Sequence, residues 1–275
     1  MVGSVFSPRY ARALRRGEAA APTDHAALHL ALYRRGRPIG WVMSEHAGDE
    51  QATAIGRSRI ETIGGGWRIT VDERAMPWRG RVAGTIEIEP SSPALPGTFL
   101  DGGERHAWTP LHPRARVRAR FARPDFALDA DGYCDRNSGA RRLEDDFARW
   151  TWARFHHGAG ATVVYTTVER DGTRRALVAR SDGGGGEIAR AEPIVVGARR
   201  LGWGLVLPSR IGAGALAVEP LAPLEHSPFY ARFRARLTDG ARTVEGLGEH
   251  VDVGRFRSRL VQFLTRYKIR NGFFR

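Results

Sequence analysis

An all-β fold built from two sandwich or barrel units is the class this sequence predicts, on three observations. β-type runs of limited length recur along the chain, Gly- and Asp-containing turns separate them, and only one stretch near the end has helical spacing. With 275 residues the chain can bury a sizeable core and supply two modest domains. The expected division is a first β-domain over 1–145 and a second over 146–275, the two groups of runs meeting near 145 to 155.

Taken in order, FSPRYARALRRG opens with a turn at Ser7-Pro8 and continues as a short basic helix. AALHLALY (Ala26–Tyr33) and RPIGWVMSE (Arg37–Glu45) flank Gly36 and predict a hairpin. GWRITVDE (Gly66–Glu73) follows a glycine run, and RVAGTIEIE (Arg81–Glu89) alternates with Val82, Gly84, Ile86 and Ile88 on one face. SSPALPG (Ser91–Gly97) is loop, and RHAW (Arg105–Trp108) and ARVRARF close the first half. In the second half TVVYTTVE (Thr162–Glu169) and Thr173–Arg180 surround Asp171-Gly172, a strong hairpin signal. SDGGGGE is a loop, and short β-type runs continue at Gly204–Leu207 and Phe229–Leu237. Finally RFRSRLVQFLTRY places Phe256, Leu260, Leu264 and Tyr267 on one face of a C-terminal helix.

Composition excludes several classes. No run of about 18 apolar residues exists to span a bilayer as a helix. The N-terminus lacks an apolar signal core, which argues against export and for a cytoplasmic location. The single Cys134 rules out an internal disulfide. A net charge of +13 suggests a polyanion partner, yet nearly all of it is arginine, with Lys268 the one lysine. The densest basic run, Arg114, Arg116, Arg118 and Arg120, alternates with Ala115, Val117, Ala119 and Phe121, so it reads as a half-buried strand with a solvated outer face. An exposed arginine row can also meet the phosphates of anionic lipid or nucleic acid. No zinc-finger, helix-turn-helix or RNA-binding signature accompanies it, so no nucleic-acid partner is expected.

The stretch from Gly132 to Arg154, GYCDRNSGARRLEDDFARWTWAR, organises the rest. Its Asp, Asn and Gly residues predict a turn, followed by the acidic cluster Glu144, Asp145 and Asp146 and by Phe147, Trp150 and Trp152. A carboxylate held part-buried against aromatic walls can stay protonated at neutral pH and act as an acid. The plain alternative is that Asp135 pins the turn and the tryptophans fill a core. Arg149 and Arg154 are expected to pair with the acidic cluster. The adjacent His156-His157 is rejected as a metal site, because neighbours on a strand face opposite ways and no third ligand lies at useful spacing; no metal is expected.

Several motifs in sequence order resemble the carotenoid 1,2-hydratases, also called the hydroxyneurosporene synthase family. GSVFSPRYA is similar to that family's G-S-V-F-S-P-x-Y, DHAALHLALY to its D-H-x-A-L-N-V-A-L-Y, and WVMSE to its W-x-M-T-E. GYCDRNSG resembles G-Y-x-D-x-N-x-G, LEDDFARWTWAR resembles L-E-x-x-F-x-R-W-x-W-x-R, and EHSPFYAR resembles T-P-F-Y-A-R. The resemblance implies two lipocalin-like β-domains with a lipid-sized pocket between or within them. It also implies no cofactor, and a hydro-lyase reaction on an acyclic carotenoid such as neurosporene or lycopene.

Hydration of a terminal 1,2 double bond begins with protonation of C2, and water then captures the tertiary cation at C1. An isolated alkene is a weak base, so the site needs a protonated acid sheltered from bulk water and ring faces for the cation. A desolvated ring face contributes about 2 kcal/mol or more. By resemblance His-x-Trp falls at His106 and Trp108, and Tyr-x-Asp at Tyr133 and Asp135. Each pair has period-2 spacing, which on a strand points both side chains to one face. Asp135 is the expected proton donor and Trp108 the cation-stabilising ring; Tyr133 and His106 orient the acid or hold the water. Phe147, Trp150 and Trp152 are expected as pocket wall or domain-junction packing. The bland readings are a satisfied core histidine at His106, core packing at Trp108 and a rim hydroxyl at Tyr133.

The chain departs from the family pattern in three places. Arg9 and Arg12 stand where the family carries aromatics, LVQFLTRYKIRNGFF replaces a more apolar tail, and Arg136 and Ser138 flank Asn137. The leading expectation is a cofactor-independent hydratase, peripherally associated with the cytoplasmic face of the inner or photosynthetic membrane through its arginines. A non-catalytic lipocalin-like polyene carrier, a related isoprenoid or polyketide cyclase, and a nucleic-acid binder are the alternatives, in that order.

Overall fold

The computed structural model describes residues 2–3, 7–18, 21–46, 53–75 and 80–264. The protein is mostly β, as expected, with a few short helices among the described residues. It divides into two compact units: Met1–Pro90, Arg116–Ala130 and residues 262–264 form unit 1, and Ser91–Ala115 and Asp131–Val261 form unit 2. The expected cut between 145 and 146 falls inside unit 2.

In unit 1, Ser7 accepts from the Tyr10 N–H at 3.0 Å and so caps the first turn of the short basic helix α1 (Pro8–Arg15). Strands β1 (Ala26–Arg34) and β2 (Arg37–His46) form the expected hairpin, turning through positive φ at Arg35 and Gly36. Strands β3 (Ser58–Ile63), β4 (Gly66–Arg74) and β5 (Arg81–Pro90) follow as an antiparallel meander. Next come two long strands, β6 (His106–Arg123) and β7 (Asp125–Gly139), of which residues 116–130 belong to unit 1; they continue that sheet in the order β7-β6-β5-β4-β3. Leu28, Leu32, Val42, Val71, Val82, Ala119 and Phe121 make the unit's core.

The expected turn over Gly132–Gly139 is instead the end of β7. Ladder pairing overrides the local turn preference of Asp, Asn and Gly, as sheet context often does. The alternation of the arginine row is as expected, with Ala115, Ala119 and Phe121 buried and Arg116, Arg118 and Arg120 exposed. Arg114 meets Asp131 at 2.8 Å, Arg118 meets Glu89 at 3.0 Å, and Arg116 bonds Asp129.

Unit 2 is built on a nine-stranded antiparallel sheet. Its strands are β8 (Phe147–His157), β9 (Gly160–Glu169), β10 (Arg174–Ser181), β11 (Gly186–Ala191), β12 (Pro193–Val196), β13 (Arg210–Ala213), β14 (Leu216–His226), β15 (Tyr230–Asp239) and β16 (Arg242–Asp252). They lie in the order β11-β10-β9-β8-β16-β15-β14-β13-β12. The two edge strands, β11 and β12, are consecutive in the chain and joined through Glu192, so the sheet curls into a near-closed, lipocalin-like barrel. Asp171-Gly172 makes the predicted turn, with Gly172 at φ 92° and Asp171 accepting from the Thr173 N–H at 2.8 Å.

Period-2 alternation sorts this sheet into two faces. Ala153 and Phe155 of β8 point into the barrel with Val164, Val178, Ile211, Val218, Phe233 and Leu237. Trp150, Trp152 and Arg154 point to the opposite face. Register pairs Trp152 with Tyr165 on β9 and with Glu249 on β16, and Glu249 with Arg232 on β15, so all four share that second face. β9 is buried along nearly its whole length, which explains why it reads as a run of β-branched residues rather than an alternation.

The C-terminal helix is broken in two, α3 (Val253–Phe256) and α4 (Arg259–Leu264). Asp252 caps α3 by accepting from the Arg255 N–H at 3.1 Å; Phe256 is buried but Leu260 is exposed, so the predicted single apolar stripe does not form. Tyr267 and the divergent end of the tail lie outside the described residues, as do Ser4 to Phe6 of the N-terminal motif. Among the described residues no helix is long and apolar enough to cross a membrane.

At Gly246 a Cβ would lie 2.0 Å from the Arg154 carbonyl oxygen and 2.6 Å from the Phe155 ring. Gly246→Ala is therefore expected to lower the free energy of unfolding by about 1–3 kcal/mol, read from the denaturant midpoint. An unchanged midpoint would show that β8 and β16 separate freely here.

Candidate active site

Within unit 2, the first residues of β6 and the last residues of β7 carry the two predicted pairs. Trp108 is fully buried, and its indole Nε1–H donates to Asp135 Oδ2 at 2.8 Å. The Tyr133 hydroxyl donates to the same oxygen at 3.0 Å. Both donors therefore converge on Oδ2, and Oδ1 takes no side-chain donor among the described residues. Two further rings from the barrel sheet back this group. Tyr165 meets Trp108 edge-on with centroids 5.3 Å apart, and Trp152 meets Tyr133 at 5.2 Å.

The electrostatics follow from that enclosure. Desolvation raises the Asp135 carboxyl above the usual carboxylate range, more than the bonds from Trp108 and Tyr133 lower it, and the nearby Glu249 charge adds to the rise. Desolvation followed by the Asp135 charge holds the Tyr133 hydroxyl well above its ordinary value, so it stays a donor. The Cys134 thiol is pushed up to about 11 by the same two causes, and it is no nucleophile at neutral pH. Asp135 nevertheless keeps some accessible surface. An acid that is desolvated but not sealed is what proton delivery to an apolar substrate requires.

His106 sits elsewhere. It is 2% exposed, its Nε2 bonds Asp146 Oδ2 at 2.8 Å, and its ring packs on Phe147 at 4.8 Å. Asp146 also takes Arg105 at 3.2 Å and Arg141 at 3.7 Å. Asp101 receives the backbone N–H groups of Arg105 and His106, both at 3.0 Å. Phe147 and Trp150 meet edge-on beside His106, whereas Trp152 packs on Tyr133 of the Asp135 group.

The expected pairing of Arg149 and Arg154 with the acidic cluster does not form. The short helix α2 (Leu143–Asp146) gives Asp145 to Arg142 at 2.9 Å and turns Asp146 toward His106. Arg154 lies beside His156, Nη1 to Nε2 3.5 Å, while His157 bonds Thr162 at 2.8 Å.

Sequence reasoning missed a second polar group on the same sheet face. Glu249 accepts from the Tyr230 hydroxyl at 2.8 Å and from Arg232 Nε and Nη2 at 3.0 and 2.9 Å. Arg232 Nη1 reaches Glu225 at 3.3 Å. Three of these residues, Glu225, Tyr230 and Arg232, belong to EHSPFYAR, and the period-2 spacing of Tyr230 and Arg232 was the available signal.

A family model described as carotenoid hydratase CrtC matches residues 1–271. The chain belongs to the carotenoid hydratase family. It is 33% identical over 275 residues to the acyclic carotenoid 1,2-hydratase of Thiocapsa roseopersicina, covering 98% of this chain and 67% of that protein. It is 31% identical to the acyclic carotenoid 1,2-hydratase of Rhodobacter capsulatus, covering 93% and 91% of the two chains. Among solved structures it is similar to a putative AttH from Nitrosomonas europaea, with a TM-score of 0.64 and 16% identity over 87% of this chain and 84% of that one. The likeness is one of fold.

The raised Asp135 value makes a stability prediction for this carotenoid hydratase family member. An unfolded aspartate ionises near pH 3.9, below the folded value. Asp135 thus contributes stability that is complete below about pH 3.9 and is lost as pH rises through its folded pKa. Asp135→Asn removes that loss. Its thermal midpoint should gain on the wild type as pH is raised from about 4 and then level off; a difference independent of pH would contradict the raised value.

Proposed function

We propose that this protein adds water across the terminal 1,2 double bond of an acyclic carotenoid, such as neurosporene or lycopene, to give a 1-hydroxy carotenoid. The observation that carries the reading is the Asp135 carboxyl, desolvated, with Trp108 and Tyr133 both donating to Oδ2. An acid so held keeps its proton on Oδ1. It transfers that proton to C2, the π pair forms the new C2–H bond, and a tertiary cation remains at C1. The faces of Trp108 and the neighbouring rings stabilise the cation. Water then forms the C1–O bond and gives up a proton, so atoms and charge balance without a redox partner.

Trp108 and Tyr133 also keep the carboxylate left behind from being an isolated charge, since each hydrogen bond to an ionised group contributes about 1.5–3 kcal/mol. His106 acts as a positioning residue: its bond to Asp146 fixes the start of β6, two residues before Trp108. The polyene substrate dissolves in membranes, so the reading includes peripheral contact with an anionic membrane at its cytoplasmic face. The net charge of +13 supports that contact. With Arg114, Arg116 and Arg118 each engaged by a carboxylate, other arginines would carry it.

In cells that make lycopene or neurosporene, Asp135→Asn should leave the protein folded and lower 1-hydroxy product by about 10²–10⁴-fold, the usual contribution of a positioned acid. Pigment analysis after co-expression reads the result. Normal product from that variant would remove Asp135 from the chemistry. Bound pigment without hydroxy product from the wild type would favour a polyene carrier.

A further inference from the structure

The hydration needs a group that takes the proton lost by the water that captures the cation and passes it back to Asp135, which has given its own to C2. We propose that Glu249 is the base that accepts this proton, with Arg232, Tyr230 and Glu225 holding its carboxylate in place beside Trp152. The inference rests on the hydratase reading and deepens it by assigning the second half of the reaction.

Geometry places Glu249 next to the acid group. Trp152 and Glu249 are register partners on adjacent strands and share a sheet face. The Trp152 ring packs on Tyr133, whose hydroxyl bonds Asp135. The Asp135 carboxyl also responds to the Glu249 charge. Glu249 itself is anchored from two sides on one oxygen: Tyr230 and Arg232 both bond Oε1, and no described residue bonds Oε2. Arg232 stands over the Tyr230 ring, 5.7 Å from its centroid, and is shared with Glu225. A carboxylate fixed through one oxygen keeps the other for a water proton.

Trp152 supplies a complementary donor. Its indole N–H is buried and makes no well-formed hydrogen bond, although it lies toward the Tyr133 hydroxyl. A buried unpaired donor is costly, about 1–3 kcal/mol. A water that accepts from Trp152 and donates to Glu249 satisfies it and presents a lone pair to the cation. Capture forms the C1–O bond and gives a protonated alcohol, which is a strong acid, so even a salt-bridged carboxylate takes its proton. Glu249 then carries the proton that Asp135 released in equivalents, and one proton transfer between the two carboxyl groups resets the site.

Asp135 and Glu249 act on separate half-reactions, which an isotope label distinguishes. Purified protein is incubated with lycopene carrying carbon-13 in one of the two methyl groups on C1. Recovered lycopene is assayed for exchange of the label between those methyls, because reversible protonation of C2 by Asp135 frees rotation about C1–C2, and 1-hydroxy product reports capture. Glu249→Gln should retain most of the exchange while the ratio of hydration to exchange falls at least about tenfold, within the range of a base's contribution. Glu249→Asp should restore part of that ratio. The proposal is overturned if Glu249→Gln hydrates as the wild type does, or if exchange and hydration fall together in a variant with native near-ultraviolet dichroism. Should Glu249→Gln fail to fold, the same ratio measured in Glu249→Ala decides, and a wild-type ratio there overturns the proposal. A wild type that neither exchanges nor hydrates defeats the hydratase reading itself.

Discussion

A single carboxyl group kept from water by a neighbouring tryptophan and tyrosine is the constraint on which this structure turns. Burial of Asp135 disfavours its charge, while the N–H of Trp108 and the O–H of Tyr133 favour it. Hydrogen bonds to a charged group contribute about 1.5–3 kcal/mol each, so desolvation must be substantial to win, as the raised pKa indicates it does. On the proposed reading, this group is an acid before the proton leaves and a tolerable anion afterwards. Both requirements apply to any enzyme that protonates an unactivated alkene.

The fold meets this constraint by using the two faces of one sheet differently. The inner face of the unit 2 barrel is filled with Phe155, Val164, Ile211 and Phe233, as a packed core with no polar role. The other face carries Trp152, Tyr165, Glu249 and Arg232, whose positions are set by ladder register rather than by loops. Groups mounted on paired strands hold their geometry better than groups on loops. The His106–Asp146 pair and Asp101 tie down the chain where β6 begins, so Trp108 is fixed from behind as well as by Tyr165.

Much of this was legible in the sequence, and the failures have physical reasons. The alternation of ARVRARF and the Asp171-Gly172 turn signal fixed local structure because each depends on neighbours close in the chain. The spacing of Tyr133 and Asp135 placed both on one face, yet the same segment was expected to turn because Asp, Asn and Gly dominate it; strand pairing decided otherwise. The partner of His106 lies 40 residues away, and no local pattern announces such a bond. Glu249 stayed hidden for the same reason: its place beside Trp152 arises only when β16 pairs with β8. Motif spacing therefore revealed the pairs carried by one strand, and missed the groups that two strands assemble between them.

The most direct test of the central claim is the protonation state of Asp135 itself. Infrared difference spectra of wild type minus Asp135→Asn, titrated in light and heavy water, isolate the stretch of this one carboxyl. The account predicts a protonated carboxyl band that persists above the pH at which an exposed aspartate ionises, near 3.9, and shifts in heavy water. A group already ionised at about pH 4 would contradict it.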